Sequence, residues 1–144
     1  MDVALIADKT KSVGQENFKL LKGFLLQVTD SLHISPETTH EAVITFAKWP
    51  NVLNKFNDSK YHSNEAMHML IDGIDSNLRS PTRTDRALEA ANDKLFTLGG
   101  GDRPDFPNSL VLFTDGKTHS DSKPYDQIIP LLKVRTFKKY CNKI

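Results

Sequence analysis

Cysteine is almost absent: Cys141 is the single one in 144 residues, so no disulfide can form within the chain, and its place near the end reads as a bystander thiol. Also missing is any run near the ~18 apolar residues that a membrane span requires. Met1 is followed at once by an apolar strand rather than by a basic and then apolar leader, so neither membrane insertion nor a secretion signal is expected in this chain. Nor is there an excess of one charge. The 19 Lys plus Arg and 18 Asp plus Glu give a net charge of +1, which points to neither nucleic acid nor a membrane surface as partner. Internal repeats and low-complexity stretches are absent as well. What is present, with 38% hydrophobic and 26% charged residues, is one domain's worth of chain able to bury a core.

Short apolar runs alternate with segments of helical period. Val3-Ala-Leu-Ile-Ala7 is a continuous apolar run that suits a strand buried on both faces. Phe18, Leu21, Leu25, Val28 and Leu32 recur at three- and four-residue steps, which predicts an amphipathic helix from about Gln15 to Leu32. Ala42 to Ala47 reads as a second strand, and Val52 to Phe56, across Pro50, as its antiparallel hairpin partner. Helices are predicted over Asn64 to Ile74, capped by Ser63, and over Thr84 to Leu98, stopped by Gly99-Gly100-Gly101. Ser109 to Thr114 is another central strand, and Pro124 to Leu132 a helix with proline in its first turn. The expected fold class is therefore α/β, Rossmann-like, with a mostly parallel central sheet, one antiparallel edge strand and helices on both faces.

In such sheets ligands bind beyond the carboxyl ends of the strands. Two of the buried strands end there in aspartate. The first runs into Asp8-Lys-Thr10-Lys-Ser12, which sets a carboxylate and two hydroxyls within five residues with no His or Cys among them. The central strand after the triple glycine ends at Asp115. Thr82 or Thr84 in "SPTRTDRAL" can bring a further hydroxyl from just before a helix. Oxygen donors alone suit Mg²⁺, Mn²⁺ or Ca²⁺ rather than zinc.

The strand followed by "DKTKSVG", then "TRTDRAL", then "LVLFTDGK", resembles in order and spacing the von Willebrand factor type A domain, also called the integrin inserted domain. That family's metal-ion-dependent adhesion site is written Asp-x-Ser-x-Ser, a distant Thr, and Thr-Asp-Gly. The resemblance puts metal ligation on Asp8, Thr10, Ser12, Thr82 and Asp115. It implies an extracellular adhesion module whose Mg²⁺ (or Mn²⁺ or Ca²⁺) keeps one position open for an acidic residue of a protein ligand, such as collagen or another extracellular-matrix protein. Two carboxylates and neutral hydroxyls leave a divalent cation able to attract such an acid. No nucleophile with an adjacent base stands in the set, so an enzyme is not expected.

The chain departs from the family's pattern in three places. Thr10 replaces serine but keeps the hydroxyl. Lys11 stands where glycine is commonest and is expected to point to solvent. The resemblance runs from residue 2 to about 133, and 134–144 reads as a basic tail. That tail is too short for the strands and helix the family adds there; Val134 to Tyr140 alternates poorly and is expected to form at best a short, partial strand, leaving the Ser109 to Thr114 strand with a largely unpaired edge. Two other functions compete: an Mg²⁺-dependent phosphoryl-transfer enzyme with Asp8 as nucleophile, and a metal-free structural matrix module. Against the first, position 10 lacks a second acid.

The remaining features carry less. His33, His40, His62, His68 and His119 show no ligand spacing. Trp49 beside Pro50 reads as packing at a strand end. Asn57-Asp58-Ser59 is a glycosylation acceptor only in a secreted chain, and "GGGDRPD" does not follow a strand, which argues against a phosphate loop.

Overall fold

The computed structural model describes residues 1–141. Its sheet has five strands in the order β3-β2-β1-β4-β5. β1 (Asp2–Asp8) lies at the centre and is buried at every residue. It pairs in parallel with β2 (His40–Phe46) on one side and β4 (Asn108–Thr114) on the other. Burial on both faces explains the unbroken apolar run, since alternate side chains enter two separate cores. Ala4 and Ile6 pack with Ile44, Phe46, Phe56, Leu88, Leu95 and Leu112 under one helical layer. Val3, Leu5 and Ala7 pack with Phe18, Leu25, Met67, Ile71 and Phe113 under the other.

The second core is roofed by α1 (Gln15–Ser31) and α2 (Asn64–Asp72). α1 buries Phe18, Leu21 and Leu25 and leaves Gln15, Glu16 and Lys19 outside, as its period requires. Ser63 caps α2, its hydroxyl accepting the Ala66 N–H at 3.1 Å. The first core lies under α3 (Thr84–Ala90) and the short α4 (Tyr125–Ile128).

Four expectations are corrected. The antiparallel edge strand, β3, is Pro50–Val52 rather than Val52 to Phe56. Proline is tolerated on an edge, and after Leu53, whose N–H still donates to the Val43 carbonyl at 2.9 Å, a side chain replaces the ladder: Asn54 accepts the Val43 N–H at 2.9 Å and donates to the Glu41 carbonyl at 2.8 Å. Phe56 then turns into the core. The long helix over Thr84 to Leu98 is α-helical only to Ala90, with a π turn over Ala91–Leu95 and a 3-10 turn over Leu98–Gly100. There the glycines are required by space: a Cβ on Gly100 would lie 2.3 Å from the Leu95 carbonyl oxygen, and Gly101, at φ 86°, sits against Asn57. The helix over Pro124 to Leu132 is α-helical for four residues and becomes 3-10 over Ile129–Leu131, since Pro130 offers no N–H.

The fourth correction concerns the sheet edge. The tail forms β5 (Thr136–Cys141), parallel to β4 in a register running from Ser109 opposite Thr136 to Thr114 opposite Cys141. β4 therefore has a partner on each side. Phe137 packs on the first core, and Tyr140 stacks on Phe113 with ring centroids 5.6 Å apart. The last residues of the tail, Asn142 to Ile144, lie outside the described residues.

Candidate metal centre

The strands β1 and β4 run in parallel, so their carboxyl ends deliver Asp8 and Thr114 to the same edge of the sheet. Asp8 is fully buried. Its Oδ1 accepts from the Thr10 N–H at 3.1 Å and from Thr10 Oγ1 at 2.6 Å. Its Oδ2 accepts from Thr114 Oγ1 at 2.7 Å. Thr10 Oγ1 lies 3.0 Å from Ser12 Oγ, so the three residues of the loop form one connected chain of oxygens. Two-residue spacing in a tight turn after a strand brings the carboxylate and both hydroxyls together.

Burial raises the Asp8 carboxyl to about pKa 6; hydrogen bonds from Thr10 and Thr114 pull it down, and the nearby Asp115 carboxylate pushes it up further. Asp115 follows β4 and accepts the Lys117 N–H through Oδ1 at 2.8 Å, while its Oδ2 is buried with no hydrogen-bond partner among the described residues. Two acids lie near enough to repel, and one of their oxygens is unsatisfied among the described residues. That is an unfavourable arrangement for a protein alone and a fitting one for a divalent cation.

Thr82 is also buried and sits on this edge, in the loop before α3. Its carbonyl accepts the His119 N–H at 2.8 Å and Thr118 Oγ1 at 3.2 Å, which ties it to the loop following Asp115. No hydrogen bond joins its hydroxyl to Asp8, Thr10 or Ser12. Thr84, two residues on, has a buried Oγ1 with no partner among the described residues. Among the described residues no three His, Cys, Asp or Glu side chains converge as a metal cluster; the set here has two carboxylates and is completed by hydroxyls.

Thr114 is the residue the sequence reading missed. It holds the second oxygen of Asp8 and accepts the Gly116 N–H at 3.2 Å. A threonine at the last position of β4, directly after the apolar run Leu110-Val-Leu-Phe113, was the available signal. Asp85 was missed as well. In the first turn of α3, it accepts two hydrogen bonds from Arg83, at 2.9 and 2.7 Å, and one from the Lys123 N–H at 3.1 Å. Although burial opposes ionisation, these bonds hold its carboxyl at about pKa 2. The pairing fixes the Thr82–Thr84 loop at the rim of the site.

A buried aspartate joined to two hydroxyls on one strand-end loop, with a second aspartate at the end of the neighbouring strand, is the arrangement that the motif order implies. The family model for the von Willebrand factor type A domain matches residues 2–141. The chain belongs to that family. Human Matrilin-1 is 28% identical over 117 residues, covering 81% of this chain and 23% of its own length. Chicken Matrilin-3 is 31% identical over 131 residues, covering 89% of this chain and 27% of its own. Mouse Integrin alpha-2 is 29% identical over 123 residues, or 85% of this chain and 10% of the integrin. The chain thus spans about a quarter or less of these relatives. Among solved structures, proximal thread matrix protein 1 from the mussel byssus, with a zinc-occupied metal-ion-dependent adhesion motif, superposes with TM-score 0.74 at 20% identity over 96% of this chain and 41% of that one. At that identity the likeness is one of fold.

Proposed function

We propose that this type A domain is a metal-ion-dependent adhesion module that binds an acidic residue of an extracellular protein through a divalent cation. Asp8, Thr10, Ser12, Thr82 and Asp115 would hold the ion, with Thr114 orienting Asp8. The observation that carries the reading is the buried Oδ2 of Asp115, without a partner among the described residues, at the end of the strand adjacent to the one that ends in the Asp8–Thr10–Ser12 oxygen chain. A donor set of oxygens alone favours Mg²⁺ or Mn²⁺, with Ca²⁺ as the larger alternative. The mussel protein's zinc-occupied motif supports a divalent cation at a motif of this kind. When bound, the ion supplies positive charge and an open coordination position for an outside carboxylate.

The chain's own residues set the rest. Asp8 and Asp115 bring two negative charges, and the hydroxyls add neutral oxygens that position an ion without cancelling its charge. Similarity to matrilins, an integrin and Collagen alpha-5(VI) chain supports an extracellular setting and a matrix protein, collagen included, as ligand. Phosphoryl transfer from Asp8 is disfavoured, because the nucleophile would have to be an aspartate with no exposed surface and both oxygens engaged.

The test is solid-phase binding of the purified chain to immobilised matrix proteins, fibrillar collagen among them. Binding is expected in Mg²⁺ or Mn²⁺, absent in EDTA, and lost in Asp115→Ala. Adhesion of equal strength in EDTA would overturn the reading, and turnover of a generic phosphate ester would favour the enzyme.

A further inference from the structure

The rim of the metal loop carries a strip of cations that the site itself does not use. An isolated bridge pairs Thr10 with Arg79. Around it the Lys11 N–H donates to the Arg79 carbonyl at 2.8 Å, and the Arg79 N–H donates to the Lys9 carbonyl at 3.1 Å. This backbone clamp sets Lys9, Arg79 and Lys11 side by side against the loop that bears Thr10 and Ser12. Arg79 and Lys11 are exposed. Lys9 is paired with Asp75 at 2.5 Å, and Asp75 is held below the usual carboxylate range by that bond, by the Asn77 N–H and by the charges of Lys9 and Arg79. Three cations thus share one carboxylate, which leaves the strip positive.

Arg79 also divides two concavities. One, of about 170 Å³, lies between Lys9, Arg79 and Trp49; the other, of about 380 Å³, lies between Arg79 and Lys11. Trp49 is 65% exposed. It is nonetheless held in place, with the Arg86 guanidinium 3.9 Å from its ring centroid and Arg86 itself donating to the Lys48 carbonyl at 3.0 Å. An exposed tryptophan fixed from behind, next to Arg79, which has no ion-pair partner among the described residues, and near a metal loop, is the composition of a recognition surface rather than of solvated rim.

We infer that Arg79 and Lys11 form a second subsite, taken by an additional carboxylate on the peptide segment whose first acid reaches the metal, with Trp49 as an apolar platform for the same segment. The inference rests on the metal-dependent reading above and narrows it: the preferred partner is a protein segment with at least two acids close in sequence. A sulfated polysaccharide fits less well. Asp75 interrupts the strip, and a polysulfate needs a longer row of cations than Arg79 and Lys11, the two without an ion-pair partner among the described residues, provide.

Fluorescein-labelled decapeptides of glycine and serine, carrying one glutamate or two glutamates separated by one to four residues, test this by binding to the full chain in Mn²⁺. The second glutamate is expected to raise affinity at a preferred spacing by about threefold to tenfold, the range of one or two exposed ion pairs. Arg79→Gln and Lys11→Gln should each shrink that gain, and together abolish it, while leaving the single-glutamate affinity and the melting temperature as in wild type. A single-glutamate peptide that binds in Mn²⁺ but gains nothing at any spacing would overturn the subsite alone, as would a gain indifferent to both substitutions. Binding of a heparin oligosaccharide that survives EDTA and depends on Arg79 would replace it with a glycan site. No Mn²⁺-dependent binding of the single-glutamate peptide would remove the metal reading and the subsite with it.

Discussion

Glu41 is buried under α1, with Oε1 accepting from Thr29 Oγ1 at 2.8 Å and Oε2 buried without a partner among the described residues. Burial raises its carboxyl from 4.5 to about pKa 7, against the Thr29 hydrogen bond and the nearby His68, which lower it. The folded state therefore binds more protons than the unfolded chain between those values. The associated stability is complete below pH 4.5, declines as pH rises through about 7, and is flat above. Glu41→Gln should raise stability at pH 8 by up to roughly 3 kcal/mol and leave it unchanged at pH 4, which denaturant melts at the two pH values will show. Arg103 is the opposite case. It pairs with the buried Asp2 at 2.6 Å and also donates to the Met1 and Thr38 carbonyls, so Arg103→Ala strands a buried charge and should cost about 3 to 5 kcal/mol in the same melts. Lys11 is exposed, and Lys11→Gly is expected to change metal affinity by less than about tenfold, roughly 1.4 kcal/mol, by calorimetry. Asp8, Thr10 and Ser12 were legible in the sequence because their bonds are local. Glu41 and Arg103 were not, because their partners lie 12 and 101 residues away.

At the scale of elements, long periodic segments and pure apolar runs were readable: α1, β1 and β4 stand where their patterns put them. Edges were not. β2 begins at His40, two residues before its apolar run, because Asn54 and Thr29 satisfy polar groups that a pattern treats as solvent-facing. β5 alternates poorly in sequence. Its support is the open edge of β4 and the aromatic contacts of Tyr140 with Phe113 and with Phe24, the latter at 5.4 Å between centroids. Deleting 134–144 should therefore expose the β4 edge, lower the melting temperature and promote association, as read by calorimetry and by light scattering. A shortened chain that melts like the full one would show that β5 adds nothing.

Over the whole molecule, the parallel order of β2, β1 and β4 brings three separate sequence motifs to one edge of the sheet. Asp8 and Asp115 are 107 positions apart in sequence, yet adjacent strands end together, and the loop holding Thr82 is pinned to the same edge by the His119 N–H. The spacing of the motifs was legible; the contribution of Thr114 and the basic strip at Arg79 needed the strands to be laid side by side. The central claim is that this edge binds one divalent cation between Asp8 and Asp115. Titration calorimetry of Mn²⁺ and Mg²⁺ into the wild-type chain and into Asp115→Ala measures it directly. The account predicts saturable binding and a raised melting temperature in the wild type, with both lost in the variant; no heat and no melting shift in wild type at millimolar metal would contradict it.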